Sequence, residues 1–423
     1  MEKKKNYFNL FSNWKNIRKL LVIISSLVLL FNLFFNSCIN VNQNTGFINY
    51  GYSGLYYYLN GDSKQFLYWK EYYKYDLKGI DKEYLFYENN KKRVISVDNK
   101  NVISNKLFDS IHVVDIISAN SNKKFKVSIL DSNKVKPSAY NTSEKIFAIS
   151  DIEGDFDKFI QLLQRNNIIK NNLEWNFGKG HLVLLGDYFD RGDDVTAVLW
   201  LCYKLEQEAE KQGGKVHFML GNHEQMNLQG SVKYVQGKYQ ALAQKLNIPY
   251  KELYGKNSEL GRWLRTKNAI IKINNLLFTH GGISPNFIKL HETIEITNQN
   301  TLKAIDVPLK DMYSANGEDI GNPFYKYINV ESPLWYRGYF SDWGNYKKAT
   351  QTEVDFVCKY YGVDKIIVGH TIVDEIKTHY NGKIIGIDVQ RNRNNKKQKP
   401  SAFLIENNQF FAVDEHGRKF PIK

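Results

Sequence analysis

The sequence predicts an α/β fold, its sheets flanked by helices, preceded by a small strand-rich module. Three observations carry this reading. From Lys145 onward, short apolar strands alternate with segments whose apolar residues recur at helical spacing. Residues 46–145 instead hold short alternating runs, dense in tyrosine and parted by Asn-Gly, Asn-Asn and Ser-Asn-Lys turns. The chain has 423 residues and is 43% hydrophobic, which suits a large core and excludes wholesale disorder. Its three cysteines exclude a disulfide framework and an all-cysteine zinc site.

In chain order, residues 1–19 carry Lys3, Lys4, Lys5, Lys15, Arg18 and Lys19 against the single acid Glu2. Residues 20–35 are apolar except for Ser25, Ser26 and Asn32. That run is shorter than the ~20 residues a spanning helix prefers, and fits the core of a signal peptide. Phe35-Asn36-Ser37-Cys38 follows, and here the sequence resembles a bacterial lipoprotein signal: a large apolar residue, a small residue, then the cysteine to be acylated. The resemblance implies loss of residues 1–37, lipid on Cys38, and a membrane-anchored lipoprotein of the bacterial cell envelope, facing periplasm or exterior. An uncleaved anchor helix is the alternative. Residues 38–45 read as a polar tether. Residues 46–145 form the Tyr-rich module, with a hairpin over 111–118 and 124–130; its tyrosines read as packing.

In the remaining domain, 146–423, strands are expected at 146–150, 182–185, 216–220, 270–279, 365–368, 383–389, 402–406 and 410–413. Helices are expected over 156–168 and 195–211. Cys202 and Cys358 fall on apolar helix faces and read as core residues. The informative feature is what ends each strand. One runs into Asp151-Ile152-Glu153-Gly154, the next into Gly186-Asp187-Tyr188-Phe189-Asp190-Arg191-Gly192, and the third into Gly221-Asn222-His223-Glu224. Later strands end in His280-Gly281-Gly282 and Gly369-His370-Thr371. Ligands of open α/β sheets bind beyond the carboxyl ends of strands. Carboxylates, an amide and imidazoles gathered there suit divalent first-row metals.

These motifs resemble the calcineurin-like metallophosphoesterase superfamily, in its phosphoprotein-phosphatase branch. That branch is marked by Gly-Asp-x-His-Gly, Gly-Asp-x-x-Asp-Arg-Gly, Gly-Asn-His-Glu, His-Gly-Gly and Gly-His-Thr. The stretches Leu260-Gly261-Arg262-Trp263-Leu264-Arg265 and Pro333-Leu334-Trp335-Tyr336-Arg337-Gly338 look most like the bacterial Shewanella-like phosphatases. The resemblance covers about 146–390 and implies a metallophosphoesterase-type β-sandwich flanked by helices.

It also implies roles. Asp187 would bridge two divalent metals (Mn, Fe or Zn), Asp151 would complete the first site, and Asn222, His280 and His370 the second. The remaining first-site ligand of the family is a histidine, and Glu153 stands at that position. A carboxylate there is a harder, anionic ligand. Hydrolysis would follow direct attack of a water activated between the metals, with His223 protonating the leaving oxygen, Asp190 orienting His223, and Arg191 and Arg337 gripping the phosphoryl oxygens.

The expected activity is therefore a metal-dependent phosphomonoesterase, a phosphoprotein phosphatase acting on a phosphorylated protein or a small phosphate ester. A phosphodiesterase or dinucleoside-polyphosphate hydrolase on the same fold is one alternative, and a metal-poor binding protein another. The insert 225–262 is expected to roof the site, and the basic run 391–399 reads as a solvated loop. The formal +14 does not indicate nucleic acid: +5 of it lies in the first 19 residues, and no nucleic-acid motif accompanies it.

Overall fold

In the computed structural model the chain divides into two compact units, 1–74 and 75–423. The structure describes residues 14, 16–30, 40–42, 47–52, 67–72, 77, 82–98, 100–314, 319–342, 344, 346–389 and 401–422. For the strands before residue 73 it describes the backbone only. Cys38, the signal junction around it and the basic run 391–399 lie outside the described residues.

The first unit contains a helix over 16–30 and a three-stranded antiparallel sheet, Asn40–Asn42, Phe47–Tyr52 and Leu67–Tyr72. Among the described residues no helix is long and apolar enough to cross a membrane.

The second unit begins with a three-stranded meander, Tyr84–Glu88, Lys91–Val97 and Ile103–Phe108. The expected hairpin follows, Val113–Ile117 paired with Lys124–Ser128. These strands lie in the same compact unit as the residues after 145. The reason is burial against the helix Val195–Lys211. The Tyr84 hydroxyl lies 3.0 Å from the Thr196 hydroxyl, and Trp200 Nε1 donates to the Glu83 carbonyl at 2.9 Å. The buried Glu259 carboxylate accepts from Tyr87 (2.5 Å), Tyr203 (2.8 Å) and Asn133 (2.9 Å). Asp194, at the N-terminus of that helix, spends its carboxylate on the hairpin turn, accepting from Ala119 N–H at 3.1 Å and Asn120 Nδ2 at 3.1 Å.

Two six-stranded sheets form the centre. One runs Lys215–Phe218, His181–Leu184, Ile146–Ile149, Ala402–Glu406, Gln409–Val413 and Lys419–Pro421. The other runs Thr378–His379, Ile384–Gly386, Lys365–Val368, Leu276–Thr279, Ile270–Ile273 and Ala139–Tyr140. The strands nearest the site are short apolar runs, buried on both faces. Strand period decides which residues meet what. Ile146, Ala148 and Val183 join Phe278, Ile367 and Ile385 between the sheets, whereas Phe147, Ile149, Leu182 and Leu184 pack with the flanking helices.

The helix Phe156–Arg165 shows local sequence control. Asp155 caps it by accepting from Lys158 N–H, and Phe156, Phe159, Ile160, Leu162 and Leu163 form its buried stripe. It stops at the Asn166-Asn167 turn, where Asn167 takes φ 58°, so it ends short of the expected residue 168. Val195–Lys211 has the expected bounds.

Candidate metal centre

Five strand ends converge. Asp151, Asp187 and Asn222 follow three neighbouring strands of the first sheet, and His280 and His370 follow two parallel neighbours of the second. The turns that hold them are conformationally costly. Asp151 (φ 56°), Glu153 (50°), Asp187 (59°), Asp190 (71°), Arg191 (55°) and His370 (62°) all take the left-handed region that non-glycine residues avoid. Cross-turn hydrogen bonds hold them there. Asp151, Glu153 and Gly154 N–H groups donate to the carbonyls of Gly186 (3.1 Å), Asp187 (2.9 Å) and Tyr188 (3.0 Å). At Gly186 (φ 91°) a Cβ would come within 2.7 Å of both Gly221 Cα and His280 Nδ1, so only glycine lets these turns approach so closely.

Glu224 organises the second turn. Its buried carboxylate accepts the backbone N–H groups of Asp187 (2.8 Å), Tyr188 (2.7 Å) and Gly221 (2.7 Å). Burial, then the Asp187 charge, pushes its pKa up to about 7, against the pull of those amides.

The donor set is tight. Asp187, His280 and His370 present ligand atoms that all lie within 4.8 Å of one another, and all three residues are buried. His280 Nε2 lies 3.1 Å from Asp187 Oδ2 and 3.0 Å from Asn222 Oδ1. Its Nδ1–H donates to the Leu185 carbonyl at 2.7 Å, which turns Nε2 toward the cluster. Burial disfavours the imidazolium, yet the adjacent Asp187 carboxylate prevails and raises His280 to about 9. Asp187 is itself held ionised, below the usual carboxylate range, because His280 and His223 outweigh its burial. Asp151 is pushed up, first by burial and also by the Asp187 charge; it accepts from the Ser150 hydroxyl and from His370 N–H at 3.1 Å. Buried carboxylates facing imidazoles, with like charges side by side, are a set that a divalent cation would relieve. The residues present fit such a cation.

The expected catalytic residues gather at the same rim. His223 Nδ1 lies 2.6 Å from Asp190 Oδ2, and His223 Nε2 lies 3.7 Å from Asp187 Oδ2. Burial opposes protonation of His223, but the Asp187 and Asp190 carboxylates prevail and raise its pKa. Arg337 Nη1 donates to the His370 carbonyl at 2.5 Å. Arg191 is ion-paired with Glu153, so here the Glu153 carboxylate faces a guanidinium, and Glu153 stands outside the three-residue group whose ligand atoms converge. Cys202 and Cys358 are buried, as expected of core residues.

Two residues gained no role from sequence. Glu224 sits inside the Gly-Asn-His-Glu motif, whose acid at the third helical position is the signal for a capping carboxylate. Tyr234 stands over Arg191 with its ring centroid 5.2 Å from the His223 ring, and nothing local distinguishes it from the other 27 tyrosines.

The calcineurin-like phosphoesterase family model matches residues 144–374. The chain is similar to the Shewanella-like protein phosphatase 1 of Plasmodium berghei, 29% identical over 255 residues, covering 58% of this chain and 68% of that protein. It is 35% identical over 106 residues to the Shewanella-like protein phosphatase 2 of Arabidopsis thaliana, covering 25% of this chain and 27% of that one. Among solved structures, the cold-active protein-tyrosine phosphatase of a psychrophilic Shewanella species superposes with a TM-score of 0.71 and 31% identity, covering 81% of this chain and 98% of that chain. With the strand-end motifs, the two-sheet fold and the donor set in agreement, the chain belongs to the calcineurin-like phosphoesterase family and is a metal-dependent phosphatase.

Proposed function

We propose that this phosphatase acts on phosphorylated proteins, as a phosphomonoesterase. The observation that carries the reading is the clustering of Asp187, His280 and His370 beside a buried His223–Asp190 pair and two arginines. The names of the relatives, a protein-tyrosine phosphatase and protein phosphatases, support the substrate class.

In this reading Asp151, Asp187, Asn222, His280 and His370 would hold two divalent ions; Mn, Fe or Zn suits the oxygen and nitrogen donors. Bound there, such ions would supply Lewis-acid polarisation of the phosphoryl oxygens and an activated water. His223 gives its proton to the leaving oxygen, and Asp190 keeps the ring oriented. Arg191 and Arg337 take the non-bridging oxygens. Glu153 occupies the place of the sixth ligand, where Arg191 and a metal compete for one carboxylate. Glu224 acts through the amides it holds.

We propose further that the chain is a membrane-anchored lipoprotein. Residues 1–37 would be removed, Cys38 acylated and residues 38–45 left as a tether, which would put the enzyme on an envelope membrane. Labelling of the expressed chain with a radioactive fatty acid tests this, since Cys38→Ser should abolish the label.

For the activity, the detergent-solubilised full chain loaded with Mn should release phosphate from phosphopeptides, and Asp187→Asn should abolish release. Turnover of phosphodiesters or dinucleoside polyphosphates with phosphopeptides untouched would refute the substrate class.

A further inference from the structure

Tyr234 lies in the loop between the helices Asn222–Leu228 and Gly237–Lys245. Its main chain and its ring do different things. The Tyr234 carbonyl accepts the Arg191 N–H at 3.0 Å, and Gln236 Nε2 donates to the Arg191 carbonyl, so backbone and neighbour clasp the arginine turn. The ring is tilted 41° to the His223 ring at a centroid separation of 5.2 Å. The Arg191 guanidinium and the Lys233 ammonium each lie 5.0 Å from its centroid. Even so, the residue stays 36% exposed, whereas Tyr188 and Phe189 in the adjoining turn are fully buried. A partly exposed aromatic ring, flanked by two cations, thus stands beside His223.

We propose that Tyr234 is a specificity-determining residue that favours aryl phosphates, stacking on the ring of a phosphotyrosyl side chain; this rests on the phosphatase reading above. In an aryl ester the ring is bonded directly to the leaving oxygen, so an ester that reaches His223 brings its ring against Tyr234. A seryl ester places only a methylene there. Offset or edge-to-face aromatic pairs are worth roughly a 2- to 12-fold preference beyond their buried area. Lys233 and Arg191 keep the same corner cationic, which suits the dianionic phosphoryl group that enters with the ring.

The test compares kcat/KM of the Mn-loaded full chain for phosphotyrosyl and phosphoseryl peptides of otherwise identical sequence, and for phenyl phosphate against glycerol 2-phosphate. Tyr234→Ala should lower the aryl-to-alkyl ratio about 5- to 10-fold, and Tyr234→Phe should keep it within about twofold. The ratio is independent of the folded fraction of either preparation. Competition by phenylphosphonate and methylphosphonate should show the same change in relative inhibition. An unchanged ratio in Tyr234→Ala, with both substrates falling together, overturns the assignment and leaves the ring as a support for Arg191. If neither peptide is turned over while phenyl phosphate is, the phosphoprotein reading fails, and the small-ester ratio still decides the role of Tyr234.

Discussion

Nδ1 of His223 lies 2.6 Å from a carboxylate oxygen of Asp190, with both side chains buried. The other oxygen, Asp190 Oδ1, is buried with no hydrogen-bond partner among the described residues, so the carboxylate is committed to the imidazole. A fixed ring with a supporting carboxylate is what proton delivery to a leaving alkoxide requires.

His223→Ala should therefore lower kcat/KM for a phosphoseryl peptide by roughly 10²- to 10⁴-fold, and by much less for p-nitrophenyl phosphate, whose leaving group departs without a proton. Asp190→Asn should fall between wild type and His223→Ala. Steady-state kinetics on the two substrates decide this; equal losses on both would rule out the proton-donor role.

The Glu153–Arg191 ion pair sets up a second outcome. Glu153→His removes the counter-ion of Arg191 and installs imidazole where the family carries its ligand. Metal content per chain, measured after dialysis against limiting Mn, should rise in this variant. A content that stays level or falls would mean that Glu153 already serves at least as well as imidazole.

Glu224→Ala leaves the buried N–H groups of Asp187, Tyr188 and Gly221 without their acceptor. At ~1–3 kcal/mol for each unsatisfied group, stability should fall by about 3 kcal/mol or more, and metal content should fall with it. Urea denaturation measures the first. A denaturation midpoint equal to that of wild type would show that water replaces the carboxylate at no cost.

A pH effect arises away from the rim. His217 Nε2 lies 3.1 Å from His181 Nδ1, and the Tyr140 ring packs 4.5 Å from the His217 ring. Burial, then Lys215, lowers His181 to about 4, and burial, then His181, holds His217 well below its ordinary value. Depressed histidine values mean that between about pH 6.5 and 4 the unfolded chain binds more protons than the folded one. Their contribution is thus complete above 6.5 and lost as pH falls through that window. Denaturation midpoints of the chelated protein from pH 7 to 4.5 should decline, and His181→Gln/His217→Gln should flatten the decline; identical slopes would refute the assignment.

Much of this could be read from the chain because it is local. Apolar runs such as residues 146–149 have no place except between two layers, and Asp155 with the spacing of Phe156, Phe159 and Leu163 marks its helix unambiguously. The converging strand ends were visible because each ligand sits next to a strand in sequence. What was hidden depends on contacts between distant residues. Nothing in the spacing shows that Tyr84 and Tyr87 bind Thr196 and Glu259, more than 100 residues away. The pairing of Glu153 with Arg191 is a matter of side-chain direction, which spacing does not reveal. Tyr234 stands in a loop whose position over His223 exists only once the insert has folded back.

The most direct test of the central claim is phosphate release from a phosphotyrosyl peptide by the Mn-loaded full chain and its Asp187→Asn variant, with bound metal counted in the same samples. The wild type should turn the peptide over and hold close to two metals per chain, and the variant should lose both. Equal turnover by the two proteins, or a wild-type chain that neither binds metal nor releases phosphate, would contradict the claim.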